Sequence, residues 1–143
     1  MNWIHWALLS AIFAGITAVL AKTGVENINS HLATALRTSV VLIFTWAIAL
    51  SMVPFEFVAK LSSRNWIFLI LSGVATGLSW LCYFRALQLG EASRVASIDK
   101  LSILFVLVFS AVLLRERLFW TQWLGAILIL GGVLLVAWNP RAS

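Results

Sequence analysis

Charge is scarce in this sequence. Of 143 residues, ten are Lys or Arg and five are Asp or Glu, a charged fraction of 10%. A water-soluble domain carries about 25%. Cysteine is nearly absent: Cys82 stands alone, which excludes an intrachain disulfide and any cysteine-rich metal centre. Asp99 is the single aspartate, so no aspartyl dyad forms within one chain. His5 and His31 lack metal-ligand spacing. The sequence has no G-x-S-x-G, no H-E-x-x-H, no Walker loop and no dinucleotide fingerprint, so nothing in it points to an enzyme. Its start, M-N-W-I-H-W, has no basic n-region, which predicts that the first hydrophobic segment is retained rather than cleaved.

What is present is hydrocarbon. Apolar residues make up 62% of the chain and the mean hydropathy is +1.02. That is more apolar surface than a core of this size can hide from water, so the class is integral membrane protein. The net charge of +5 does not indicate nucleic acid, because the basic residues are scattered rather than gathered into a patch with interleaved aromatics. Lys and Arg in such places are the usual flanks of membrane helices.

Five spans are expected, at about 3–21, 31–53, 66–89, 92–114 and 119–138, forming one all-α, polytopic domain over 1–143. Lys22 closes the first span, in which Ser10, Ala14 and Ala18 form a small-residue stripe suited to close packing. Pro54 ends the second, and a loop follows to Asn65. The third contains Gly73-x-x-x-Gly77, a helix-packing motif. Gly90 sits where a C′ glycine stops a helix, so the third and fourth spans form a tight hairpin. Trp3, Trp6, Trp66, Trp120 and Trp138 fall at expected membrane–water boundaries, whereas Trp46 and Trp80 do not.

Loop charges orient such a chain, and here they barely do. One face has Lys60, Arg64, Arg115 and Arg117; the other has Lys22 and Arg141, with Arg85 and Arg94 near the boundary. An odd number of spans with so little bias is what an antiparallel homodimer needs.

Function is sought where charge persists inside the apolar spans. The stretch from Gly90 to Leu118 carries Arg94, Asp99 and Lys100 ahead of the uncharged run Leu101 to Leu114. In a helix starting near Ala92, Asp99 and Lys100 lie roughly 10–12 Å along it. Charges at that depth cost about 2.5–3.5 kcal/mol each to insert. Arg37, Arg85, Glu91, Arg94, Asp99 and Lys100 all belong to the half of the membrane bearing the C-terminus, where they form a candidate vestibule. Arg37, Arg94 and Lys100 are candidate contacts for an anionic group, and Asp99 is the candidate proton-coupling or amine-binding group. The competing reading makes Arg85, Glu91 and Arg94 interfacial, and makes Asp99, Lys100 and Arg37 a structural ion pair between the second and fourth spans. Trp80, Tyr83 and Phe84 share a helical face. Trp80 and Tyr83 are candidate substrate contacts, with plain packing as the alternative.

Several stretches resemble one EamA-type domain of the drug/metabolite transporter superfamily. They are A-I-F-A-G-I-T-A-V-L-A-K, A-L-R-T-S-V-V, Y-F-R-A-L-Q-L-G-E-A-S-R-V-A-S-I-D-K-L-S and L-L-R-E-R-L-x-x-x-Q-W-L-G-A-I-L-I-L-G-G-V-L-L-V. The likeness covers essentially the whole chain. Larger members are ten-helix proteins of two such domains in inverted orientation. The single domain resembles the small five-helix bacterial and archaeal branch, half of that ten-helix inverted-repeat fold. The resemblance implies a multi-pass protein of the cytoplasmic membrane, surrounded by lipid and without a cofactor. It also implies secondary transport, usually export, of a small molecule by an antiparallel homodimer. The excess of cations points to an anionic or zwitterionic small polar metabolite such as an amino acid. A non-transporting subunit, a heteromeric partner and a lipid-linked sugar translocase are the alternatives. At Asp99-Lys100 the chain departs from the larger members, in which a proline or small residue is common.

Overall fold

The computed structural model describes residues 2–138 apart from the Ala59 side chain; the tail 139–143, including Arg141, lies outside the described residues. All regular structure among these residues is helical: α1 (Trp3–Gly24), α2 (Ser30–Met52), α3 (Glu56–Ala59), α4 (Ser63–Leu89), α5 (Ala92–Asp99), α6 (Ser102–Leu113) and α7 (Trp120–Ala137). Five stretches are long and apolar enough to cross a membrane: α1, α2, α4, the α5–α6 stretch and α7. The chain is a multi-pass, all-helical membrane protein.

The helix ends follow local chemistry. Asn29 caps α2, its Oδ1 accepting the His31 N–H at 2.8 Å. The Ser62 hydroxyl accepts the Asn65 N–H at the start of α4. Gln122 Oε1 accepts the Phe119 N–H at 2.8 Å and so closes the first turn of α7. The segment after Pro54, expected as loop, holds the single-turn α3, begun by a Phe57 N–H bond to the Pro54 carbonyl. Helix α4 also starts three residues ahead of its expected position, with the Ser62 hydroxyl bonding its first turn.

Among the described residues two non-glycines adopt left-handed backbone, Asn27 (φ 61°) after α1 and Arg115 (φ 54°) after α6. Gly90 does not: no described glycine has positive φ, and the chain leaves α4 for α5 through the extended Glu91 (φ −71°, ψ 139°). Asparagine tolerates the left-handed region and a β-branched residue does not. Asn27→Val is therefore expected to destabilise the chain by about 1–2 kcal/mol, and Asn27→Gly to cost almost nothing. Thermal unfolding in detergent reads the difference.

Two compact units make up the chain, one formed by residues up to Leu20 and from Gly90 onward, the other by Ala21–Leu89. In the first unit α5 packs on α7, and Ala18, Ser110, Ala126 and Val133 are buried. In the second, α2 packs on α4, and Val25, Ser30, Ala33, Thr34, Phe84 and Leu87 are buried. Small side chains dominate these positions, as in membrane helices that approach closely. Buried hydroxyls bond within their own helix, Thr34 to the Ser30 carbonyl at 2.8 Å and Ser110 to that of Leu107 at 3.2 Å. Of the expected small-residue stripe on α1, only Ala18 is buried. A Cβ added at Gly73 or Gly77 would meet nothing within 4 Å, so this chain's own helices leave that face of α4 open.

Candidate functional site

Arg37 lies two turns into α2, and α4 runs alongside. Its guanidinium carbon is 4.4 Å from the Trp80 ring centroid and 5.4 Å from that of Phe84. Trp80 and Phe84 are four residues apart and share one stripe of α4. Phe84 is only 3% exposed, which makes it a fixed wall. Tyr83 meets Phe84 edge-on, with centroids 6.5 Å apart and an interplanar angle of 63°. Arg37 and Trp80, separate candidates in the sequence, are in contact, and Phe84 rather than the candidate Tyr83 supplies the second ring under the guanidinium. The sequence held the signal, since Trp80 and Phe84 are separated by only about 40° around the helix.

No ion pair joins Arg37 to a carboxylate among the described residues. Ring faces attract the cation electrostatically, and a guanidinium seated on them keeps its edge N–H groups for an anion. Beside it on α2, Thr34 is buried and Thr38 is exposed, with the Thr38 hydroxyl bonded to the Thr34 carbonyl at 2.7 Å.

One turn beyond Phe84, the end of α4 is clamped to the α1–α2 loop. Lys22 Nζ donates to the Leu87 carbonyl at 2.7 Å. Gln88 Nε2 donates to the carbonyls of Ile28 at 2.6 Å and Val25 at 3.3 Å, while Gln88 Oε1 accepts from Arg85 at 3.0 Å. Leu87 and Val25 are fully buried between these bonds. The clamp satisfies carbonyls at a helix end and in a loop, where no helical partner exists. Sequence reasoning passed over Lys22 and Gln88, because their partners are backbone atoms 60 to 65 residues away.

Arg94, Asp99 and Lys100 belong to the other unit. Their charges are matched within their own segment, Arg94 Nε to Glu91 at 3.1 Å and Lys100 Nζ to Asp99 at 3.6 Å. The fourth span is not continuous. It breaks at Lys100 and Leu101, where the N–H groups of Lys100, Leu101, Ile103 and Leu104 each bond three residues back rather than four. This is 3₁₀ geometry, which in mid-helix marks a hinge or local strain. The expected span 92–114 is therefore two helices, with the acid–base pair at their junction. Neither proline nor glycine occurs in Ala92–Leu113, so composition gave no sign of the break. Both side chains are substantially exposed, 41% for Asp99 and 54% for Lys100.

Residues 1–138 match the EamA-like transporter family. The chain belongs to that family. An uncharacterized transporter encoded in the cobO 3′ region of a Sinorhizobium species is 51% identical over 136 residues, covering 95% of this EamA-like chain and 96% of the relative. The uncharacterized transporter YxxF of Bacillus subtilis (strain 168) is 30% identical over 133 residues, 92% of the EamA-like chain but 41% of that relative. No solved structure matches. As a multi-pass protein of a transporter family, the EamA-like chain contacts lipid along its spans.

Proposed function

We propose that the chain is a half-size secondary transporter that exports a small polar metabolite, such as an amino acid, as an antiparallel homodimer in the cytoplasmic membrane of a bacterium or archaeon. The observation that carries this reading is the Arg37 guanidinium, set within an apolar span on the faces of Trp80 and Phe84 and without a carboxylate partner among the described residues. Intramembrane ionisable groups are functional by default, and a guanidinium presents a fork that fits a carboxylate.

Asp99 and Lys100 support an assembly. Half-exposed charges inside a hydrocarbon-spanning stretch need a second chain or water against them. The open face at Gly73 and Gly77 offers a place for close approach between copies. The YxxF relative is more than twice as long as the stretch it shares with this chain, a length with room for a second such domain in one polypeptide. An inverted second copy would build the repeat interface at which transporters bind their substrates.

Topology tests the homodimer. Single cysteines at Glu26 and Ser62, in a Cys82→Ser background, are to be labelled in intact cells with an impermeant thiol reagent. Removing Glu26 leaves the Lys/Arg balance that sets orientation untouched. Comparable labelling at both positions is the expected result. Labelling at one alone would replace the homodimer by a chain of fixed orientation, a partner or subunit of another transporter.

A further inference from the structure

The transport reading leaves unused the short connection between α2 and α4, which turns at one membrane face and contains the single-turn α3. A connection that met only water would be polar. This one carries Phe55, Phe57 and Leu61, all exposed, and Trp66 and Phe68 follow, exposed on the first turns of α4. Large apolar side chains beside two spans are stable where hydrocarbon meets headgroups, and aromatic residues collect there. The backbone closes on itself: the N–H groups of Phe57, Val58, Lys60 and Leu61 each bond a carbonyl three residues back. The connection is a compact element at headgroup depth.

Its polar side chains are mostly donors. Lys60 Nζ lies 5.2 Å from the Phe57 ring centroid, and the Arg64 guanidinium carbon lies 5.9 Å from that of Phe68. Such ring contacts hold the cations against the aromatic surface and leave their N–H groups for an acceptor. Neither cation pairs with a carboxylate among the described residues. Ser62, Ser63 and Asn65 are exposed in the same stretch. The Ser62 oxygen accepts the Asn65 N–H at 3.2 Å, which leaves its hydroxyl proton to donate. Glu56 precedes Lys60 by four residues but forms no ion pair with it, and residues 57–90 include no acid. Cationic donors among exposed rings at headgroup depth complement a phosphate that carries acyl chains.

We propose that residues 60–65 form a docking surface for the headgroup of an anionic phospholipid, of which phosphatidylglycerol is the simplest example. Lys60 and Arg64 attract its phosphate, and its acyl chains lie against the exposed Trp66 and Phe68. A zwitterionic headgroup fits less well, because its own ammonium meets the same two cations. The surface is independent of Arg37 and of the transported molecule. Each cation at an anionic headgroup contributes about a factor of five in affinity, and added salt weakens that contribution by screening.

The test titrates the full chain in neutral detergent with phosphatidylglycerol or phosphatidylcholine of the same acyl chains, and native mass spectrometry reads each affinity. In detergent, membrane orientation, which Lys60 and Arg64 help to set, does not enter the measurement. Phosphatidylglycerol is expected to bind about 25-fold more tightly than phosphatidylcholine, the product of two such contributions. Lys60→Gln and Arg64→Gln should each lower that preference about fivefold, and the double variant should abolish it. Arg64→Lys keeps the charge and should keep the preference. Arg117→Gln removes the same charge elsewhere and should leave the preference unchanged. Equal affinity of the parent chain for both lipids, or a preference that survives the double variant, would overturn the surface. So would an equal loss in Arg117→Gln and Arg64→Gln, which would make the preference one of overall charge. Glycerol 3-phosphate binding as tightly as the lipid would overturn it too, since the acyl chains would then play no part.

Discussion

Arg37→Ala is expected to lower the affinity for a carboxylate probe about a hundredfold while the chain stays folded. Hydrogen bonds to charged groups are worth about 1.5–3 kcal/mol each, and a guanidinium fork makes two of them. At about 1.4 kcal/mol per factor of ten, even the low end of that range gives two decades. The low end applies because Arg37 is only half-buried. Arg37→Lys keeps the charge but loses both the fork and the ring stacking, so it should recover less than a tenth of the binding. Trp80→Leu should act more mildly, since it removes a cation–π contact worth about 0.5–2 kcal/mol and leaves the charge in place. Arg37→Met serves as the folding control, retaining the stem that packs on Trp80. Carboxylate binding that survives Arg37→Ala would remove the basis of the proposed function.

Asp99 and Lys100 give the second large effect, and it is a matter of sign. Asp99→Asn leaves Lys100 without its 3.6 Å partner in an apolar span. An uncompensated charge there costs about 2.5–3.5 kcal/mol, so the single variant should insert poorly and unfold early. Lys100→Gln should do the same through the stranded carboxylate. Neutralising both removes the cost, and the double variant should insert and unfold like the parent chain. If the pair is only structural, that double variant also transports. The proposal requires that it folds and does not transport. Protein yield, unfolding temperature and uptake into proteoliposomes, measured on all three variants, separate the two roles.

Much of the fold was legible because membrane spans announce themselves. Runs of about twenty apolar residues need no tertiary information to be recognised, and all five expected spans have a helical counterpart. The interior of the spans was less legible. Tyr83 and Phe84 differ by one position, which is about 100° around a helix, and only the packed partner decides which ring meets Arg37. Asp99 had Lys100 and Arg37 as candidate partners, and the pairing goes to its chain neighbour. The Gln88 clamp was invisible for a different reason: its acceptors are carbonyls, which every residue has. Gly90 showed the opposite failure. A glycine in the right place suggested a C′ stop, yet among the described residues the left-handed conformation falls to Asn27 and Arg115.

The break in the fourth span also shifts its phase. A residue in 3₁₀ geometry turns the chain by about 120° and advances it by about 2 Å, against about 100° and 1.5 Å in an α-helix. Two such residues, Lys100 and Leu101, rotate everything downstream by roughly 40° and displace it by about 1 Å relative to an unbroken helix. A single helical wheel drawn through Ala92–Leu113 therefore assigns the wrong faces to one of its halves. Arg94 and Ser97 on one side of the junction, and Ser110 on the other, have to be plotted on separate wheels.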